Sequence, residues 1–571
     1  MSRRDALGRF PYFPAMNLPI LLQRVRFPSL QPLSASADAH FGSGFDAAAW
    51  HHRVWQGYWW TVPGSSFTPD GIRLEQKAIL SSDTYFNAFF AAYWRRQTKL
   101  RTLSLRLALA GRFLVQIFRH TERGESEVLH AAKTAADQAE FVWEFPMAAG
   151  GTLPDGLRFS FSVTALDEGA ILRGGGWYTA DVPAARVGVT VAITTYNRHV
   201  FVEQLVRTLL ADPALAAEGV RVMLIDQSDE EKLGHLQSDR CRVIRQANLG
   251  GSGGFGRAMY EAAFVGSVPA THLLLMDDDL QVETDSVLRV LRMAQFASSP
   301  AVLGGTMFDL YRPHSLVGQG EFFAQNDAGF HAFCQYLPNA EVDRPGSLNA
   351  MAIPFSGGYC GWWFCLIPIE AIRKVGLPVP FFVRADDIQY ASRLLAGGYP
   401  SSTVPGTGIW HVPFYSKFVL WMQWIEKYNL TILNALTGQA EMTRRFSQFV
   451  GEAVSLIEQQ RFGFAGTWVT FLEEFVGGWD YFRLRTFPTH MQQVRSQLAL
   501  YPPDGSDHRQ WSPEQKQLVA SLRPRLEKLV ARFNAEGAAI HKGFVEKIPS
   551  SYSAESWKAY LATGTLAHLP G

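Results

Sequence analysis

The chain has 571 residues, 47% of them hydrophobic, and carries 53 basic against 52 acidic side chains. That length and apolar content call for two to four domains with real cores and exclude a disordered chain. A net charge of +1 leaves no global electrostatic case for nucleic acid as a partner. The four cysteines, Cys241, Cys334, Cys360 and Cys365, have neither zinc-ligand spacing nor the density of a disulfide scaffold, so a reducing compartment is the simpler expectation. The opening MSRRDALGRF has no apolar stretch suited to a signal peptide, and no run of about 18 uninterrupted apolar residues occurs anywhere. The expectation is a cytoplasmic chain with no spanning helix, free to touch a membrane surface.

Residues 1–185 read as mostly β. Short alternating runs (LSLRLALAG, GRFLVQIFRH, LRFSFSVTAL) are separated by turn residues, and the last of them puts Phe159, Phe161 and Val163 on one face. A sandwich or barrel fits that spacing. The aromatic stretch Tyr85–Arg96 and the GGGWYT run read either as a carbohydrate-contacting surface or as packing within the β unit and against its neighbour. Packing is the preferred reading, because neither run is a complete site.

Near residue 186 the pattern changes. RVGVTVAITTYNR is a buried strand ending in a polar loop; VEQLVRTLLAD is helical; RVMLIDQSD is a second strand; CRVIRQANLGGSGGFGRAMYEAA reads strand, glycine-rich turn, helix. Then LLLMDDD places four apolar residues before three carboxylates, and a helical stretch follows. Alternating strand and helix imply an α/β unit with a mostly parallel sheet. Ligands in such sheets bind beyond the carboxyl ends of the strands, so TTYNR, DQSD, the glycine turn and DDD should converge at one edge. Adjacent acids at a strand end suit a hard divalent cation beside a phosphate, although an acidic loop has the same look. The glycine turn is not a phosphate loop of the G-x-x-x-x-G-K-[ST] type, since no lysine follows.

Residues 301–415 are less regular. Glu321 lies on a strand or loop. SGGYCGWWFCLIP sets Trp362 and Trp363 between glycines and an apolar strand, and one of the two is expected in the core. Asp386 and Asp387 open a helix, where one would serve as N-cap. Trp410 and His411 end a short strand, and His411 suits a third metal ligand in a domain that already holds an acid cluster. From 416 to the end the pattern is helical, with a capping signal at Ser512-Pro513-Glu514. The boundaries that follow are 1–185 for the β domain, 186–415 for the α/β domain and 416–571 for the helical region.

TTYNR, NLGGSGGFGRAMYEA, LLLMDDD followed by ETDSVLRVL, GWWFCLIP, RADDIQY and IWH stand in the order found in bacterial galactofuranosyltransferases of glycosyltransferase family 2, which the chain resembles from about residue 80 to 430. YFNAFFAAYWRR and GGWY look like the β domain of the mycobacterial galactan-building members. The resemblance implies a GT-A nucleotide-sugar fold behind an all-β N-terminal domain, with helices at the C-terminus. It implies transfer of galactofuranose from UDP-galactofuranose, with inversion, to a galactan on an oligosaccharide or lipid-linked acceptor, together with Mn²⁺ (or Mg²⁺), contact with the inner face of the membrane and a homo-oligomer. On the matching residues, Asp277, Asp279 and His411 hold the metal and Asp387 is the general base. Thr195, Arg198, Asn248, Gly250 and Gly251 contact the donor, with Asp278 on the ribose or in a structural role and Asp226 on the uridine. Glu321, Trp362, Trp363 and Asp386 face the acceptor.

The chemistry asks for such residues. A departing diphosphate needs a cation, for which two carboxylates and an imidazole form a mixed O/N shell. The attacking hydroxyl must lose a proton on the opposite face, which a carboxylate can accept in one displacement through an oxocarbenium-like transition state. Spacing does not choose between Asp386 and Asp387; the resemblance selects Asp387. Two other readings stand beside this one: the same fold with another donor (UDP-galactopyranose, UDP-glucose or dTDP-rhamnose), and a non-catalytic glycan-binding protein with no metal affinity.

Overall fold

The computed structural model describes residues 19–28, 47–61, 64–147, 153–266, 269–325, 331–335, 337–354, 358–413, 420–503 and 506–571. The N-terminal segment read above for a signal peptide lies outside the described residues, as do Ser356 and Gly357 before the tryptophan pair.

The three alternating runs of the N-terminal part become the strands Ser104–Ala110, Phe113–His120 and Arg158–Ala165. Among the described residues they belong to two antiparallel sheets, one six-stranded and built around Ala170–Thr179, the other five-stranded and built around Arg158–Ala165. The sheets meet through Trp177 of one and Phe161 of the other, with ring centroids 6.3 Å apart. Between sandwich and barrel, the chain forms a two-sheet sandwich. The aromatics of Tyr85–Arg96 turn inward. Phe86 stacks on Tyr58 at 4.5 Å and reaches Trp410 at 5.3 Å, and Tyr85 Oη donates to the Thr407 carbonyl at 3.0 Å. These rings pack the sandwich onto its neighbour, as the packing alternative expected. Buried ion pairs join the same surfaces: Arg24 meets Asp212 at 2.8 Å and Asp285 at 2.9 Å, and Arg26 meets Glu283 at 2.7 Å.

A central sheet follows. Its strands among the described residues are β1 (Val189–Thr195), β2 (Arg221–Asp226), β3 (Cys241–Arg245), β4 (His272–Met276), β5 (Val302–Gly304), β6 (Phe364–Pro368) and β7 (Ser401–Thr403), in the order β3-β2-β1-β4-β6-β5-β7. Only β6 runs against its neighbours; the other strands share one direction. The helices that matter to the site are α1 (His199–Ala211), α2 (Gly250–Tyr260), α3 (Thr284–Phe296), α4 (Asp386–Ala396), α5 (Leu420–Thr437), α6 (Phe487–Leu498) and α7 (Ala554–Thr563).

The strands read as continuous apolar runs because both faces of the sheet are covered. In β4, Leu274 and Met276 enter the core shared with the N-terminal sheets, while Leu273 and Leu275 enter the core shared with the C-terminal helices. β6 divides in the same way, with Phe364 and Leu366 on the first side and Cys365 and Ile367 on the second. Two-fold alternation thus survives as a choice between two cores rather than between core and water.

The glycine-rich segment differs from its reading as a turn. Gly250 already opens α2, and the glycines lie within the helix. Tertiary packing overrides their poor helix propensity. A Cβ on Gly254 would sit 1.8 Å from Thr194 Oγ1, one on Gly256 would sit 1.9 Å from the Trp557 ring of α7, and one on Gly250 would sit 2.2 Å from the Phe382 carbonyl. These glycines bring the helix against β1, α7 and the 382 loop. Gly251 alone of the segment has open space at its Cβ position in addition to lining the cavity described below. Gly254→Ala is therefore expected to lower stability by about 2 kcal/mol, while Gly251→Ala leaves the melting temperature in place. Thermal unfolding of the two variants checks the contrast, and equal melting temperatures would refute it.

A four-stranded sheet, in the order Leu280–Val282, Ile409–His411, Met307–Asp309, Leu316–Gly318, adjoins the end of β4. Its first strand directly follows the aspartate run, and Leu280 pairs with His411. This pairing carries His411 back to residues more than a hundred positions earlier.

After residue 420 the described chain is helical. Pro513–Lys547 opens with a reciprocal capping box between Ser512 and Gln515. No helix among the described residues is long and apolar enough to cross a membrane.

Candidate active site

At the carboxyl edge of the central sheet lies a cavity of about 710 Å³. β1 ends at its rim with Thr194 and Thr195, and the start of α1 contributes Arg198. β4 delivers Asp277, Asp278 and Asp279, and the 409–411 strand adds His411. His411 Nε2 lies 3.3 Å from Asp277 Oδ2 and 3.1 Å from Asp279 Oδ1. Ligand atoms of these three residues all fall within 4.8 Å of one another, so the cluster can hold one divalent cation with two oxygens and a nitrogen. The second oxygen of Asp279 takes an ion pair from Arg198 Nη1 at 2.8 Å, which also reaches Asp278 at 2.8 Å. Burial pushes the Asp278 carboxyl up and its aspartate neighbours add to this, against the pull of Arg198 and the Thr195 hydroxyl. Arg198 itself is held above its usual value by Asp278 and Asp279 in spite of its burial.

Asn248, Gly250 and Gly251 line the same end of the cavity, and Asn248 Oδ1 accepts from the Gly250 N–H at 3.0 Å. Asp226 does not line it. β2 ends with Asp226 fully buried, one oxygen accepting from the Ser228 N–H at 2.9 Å. Its neighbour Gln227 reaches the cavity instead. Gln227 Nε2 donates to the Gly250 carbonyl at 2.9 Å, and its Oε1 accepts from the Leu249 N–H at 2.8 Å. Along a strand, adjacent residues point to opposite faces, so a shift of one position decides which of the two meets a ligand.

More of the lining comes from the segment just before β6, from α4 and from the loop before it. Trp362 and Trp363 are both buried, although only one was expected in the core, and both line the cavity. Trp362 is clamped edge-on by Phe255 at 5.6 Å and Tyr390 at 5.9 Å. Trp363 hydrogen-bonds to the buried Glu321, whose carboxyl is pushed up to about 8 by burial and by Asp387. Asp386 and Asp387 stand in the first turn of α4, and neither caps it, because Ala385 holds that position at φ 65°. Burial raises both carboxyls. Asp387 adds to the rise of Asp386, which backbone N–H groups restrain, and the Ile388 N–H and Arg384 restrain that of Asp387.

The loop presenting these acids is strained. Phe382, Arg384 and Ala385 all have positive φ, at 72°, 68° and 65°. Asn429 of α5 donates to the carbonyls of Phe381 (3.2 Å), Val383 (2.8 Å) and Arg384 (3.0 Å), and the Ser252 N–H of α2 donates to Phe382 at 2.9 Å. The acid pair is thereby tied to the glycine helix on one side and to α5 on the other.

Arg384, the first residue of RADDIQY, lines the cavity from the strained loop. Residues with no signal in the sequence complete it: Trp421, Gln423 and Glu426 from α5, and Met491 and Arg495 from α6. α5 and α6 read as ordinary amphipathic helices, and periodicity alone does not mark which polar face meets a cavity.

Glu321 gives a stability test. Its folded value of about 8 exceeds the ordinary carboxyl value, so the folded state holds an extra proton across the interval between them. The stabilisation is full below the unfolded value and is lost as pH rises through the folded one, on the order of a few kcal/mol. Melting temperature is expected to fall from pH 5 to pH 8.5, and Glu321→Gln should flatten that fall. An unchanged slope would contradict the assignment.

Comparison with known proteins begins with a family model described as Galactofuranosyltransferase 2 N-terminal, which matches residues 68–180. The chain is 32% identical over 403 residues to galactofuranosyltransferase GlfT2 of Mycolicibacterium smegmatis, covering 65% of this chain and 59% of that protein. It is 31% identical over 395 residues to galactofuranosyltransferase GlfT2 of Mycobacterium tuberculosis, covering 65% and 60%. The chain therefore spans about three fifths of the length of the curated relatives it matches. Among solved structures, a mannosyltransferase of Pyrobaculum calidifontis in complex with GDP-Man and Mn²⁺ aligns at a TM-score of 0.31 and 12% identity, over 62% of this chain and 88% of that one, a likeness too slight to assign a fold.

The chain is thus related to glycosyltransferases, and its acid–imidazole cluster can hold a divalent cation. The particular proteins the chain is related to are the mycobacterial galactofuranosyltransferases, at moderate identity.

Proposed function

We propose that this chain is an inverting, metal-dependent transferase that moves galactofuranose from UDP-galactofuranose to a hydroxyl of a growing, lipid-linked galactofuranan. In this reading residues 186–415 form a GT-A catalytic domain between a β domain (1–185) and a helical region (416–571). The observation that carries it is the convergence in one cavity of Asp277, Asp279 and His411 with Asp387.

Placement in the cavity supports these roles. Asp277, Asp279 and His411 hold Mn²⁺ or Mg²⁺, which when bound neutralises the charge on the departing diphosphate. Arg198, Asn248 and the open Gly251 at the N-terminus of α2 receive the donor, where helix N–H groups favour an anion. Thr195, Asp278 and Gly250 shape that end rather than contact the reacting sugar. Glu321 and Trp363 orient the acceptor, with Trp362 as the packed support beneath. Asp387, which lines the cavity beside the acid cluster, accepts the proton of the attacking hydroxyl, the role the resemblance gives it. Asp386 beside it is an acceptor contact. A lipid-linked acceptor brings the chain, as a homo-oligomer, to the inner face of the cytoplasmic membrane.

The test is UDP release in Mn²⁺ over a panel of galactofuranosyl acceptors, with UDP-galactopyranose, UDP-glucose and dTDP-rhamnose as competing donors. Release is expected from UDP-galactofuranose only. Release from a competitor alone would reassign the donor, and no release with bound Mn²⁺ from any donor would end the enzymatic reading.

A further inference from the structure

One wall of the cavity has no role in the transfer just described. It is supplied by α5 and α6, through Trp421, Gln423 and Glu426 on the first and Met491 and Arg495 on the second. Trp421 and Trp424 lie one helical turn apart and differ in environment. Trp424 is fully buried, its ring 4.7 Å from His490, whereas Trp421 is half-buried. The Arg495 guanidinium lies 5.1 Å from the Trp421 ring centroid. A half-exposed indole with a stacked cation and nearby carboxylate and amide groups offers an apolar face within a polar rim. That is the chemistry that takes the C–H face of a sugar ring and bonds its hydroxyls.

The wall also has a direction. At its inner end Leu430 of α5 packs against the small cluster of Tyr359 and Ile388. Ile388 directly follows Asp387, and the Tyr359 N–H donates to the Glu321 carbonyl at 2.7 Å. From Leu430 back to Trp421 is nine residues of helix, about 13 Å at the usual rise. The wall thus starts beside the acids assigned to the acceptor and follows α5 for that length.

We propose that Trp421 and Arg495 form an outer acceptor subsite that holds a sugar of the glycan chain behind the one that reacts. This rests on the transferase reading above. The subsite recognises a carbohydrate ring and sets how much the enzyme gains from longer acceptors. Gln423 and Glu426, between the two ends, bond hydroxyls along the way.

The experiment uses the full chain with Mn²⁺, its donor, and galactofuranosyl acceptors of one, two and three sugars. Trp421→Ala and Arg495→Gln are expected to raise KM for the trisaccharide about tenfold, with KM for the donor and for the monosaccharide unchanged. Trp421→Phe should restore most of the loss. A rise in donor KM would place the nucleotide on this wall and overturn the proposal, as would equal effects on all three acceptors or no effect at all. Calorimetric binding of the trisaccharide to wild type and Trp421→Ala separates the two readings. Binding lost in the variant while the wild type transfers nothing keeps the subsite and ends the transferase reading. Unchanged binding in a variant that transfers normally ends the subsite alone.

Discussion

Asp387→Asn is expected to lower kcat for sugar transfer by about a thousandfold and to leave UDP binding within about twofold of wild type. The substitution is nearly isosteric, and an asparagine oxygen can still accept the Ile388 N–H bond, made at 2.8 Å in the wild type. The start of α4 should therefore persist while the proton acceptor is lost. One neighbour bears on the choice of residue. Glu321 is raised to about 8 by burial and by Asp387, so it favours the protonated form near neutral pH. Burial raises Asp387 too, against the Ile388 N–H and Arg384. In the wild type, activity should fall as pH drops through the raised value of Asp387, because a base works only when ionised. Single-turnover transfer measured beside UDP affinity separates chemistry from binding. Retained transfer would move the base elsewhere, to Asp386 first.

Asp279→Ala is expected to weaken Mn²⁺ binding by about a hundredfold or more and to abolish transfer. Asp279 serves two partners at once, His411 at 3.1 Å and Arg198 at 2.8 Å. Its loss removes a ligand and also leaves Arg198 with Asp278 as its nearest acid, turning the guanidinium away from the cluster. Asp277→Ala removes a ligand whose charge acts on Arg198 less than those of Asp278 and Asp279, so it should weaken the metal while changing nucleotide affinity less. Mn²⁺ titration without nucleotide, followed by UDP titration, reads the two effects separately. Unchanged Mn²⁺ affinity in both variants would place the metal elsewhere.

Much of the site was legible in the sequence because strand ends in an α/β sheet share an edge. The alternation of strand and helix sufficed to bring TTYNR, the glycine segment and DDD together. That His411 suits a metal cluster could be read from its residue type, but its approach to the acids depends on the pairing of Leu280 with His411, which no local pattern announces. Other expectations failed for identifiable reasons. The glycine segment looked like a turn because glycine disfavours helix. It is helical because close packing on Thr194, Phe382 and Trp557 admits no side chain. Asp226, expected on the uridine, is buried off the cavity lining, and its neighbour Gln227 lines it. The strained 382–385 loop and its hold by Asn429 depend on contacts from a helix some forty residues later. Trp421 and Arg495 are the clearest case. Each sits on an amphipathic helix with unremarkable periodicity, and only tertiary packing puts them on one cavity wall.

The most direct measurement of the central claim is the anomeric configuration of the product. UDP-galactofuranose with the donor sugar in the α configuration, Mn²⁺ and a galactofuranosyl acceptor would be followed by NMR as transfer proceeds. A single displacement with Asp387 as the base predicts a β-linked product from the first turnover. An α-linked product, or β-linked product formed equally well by Asp387→Asn, would contradict it.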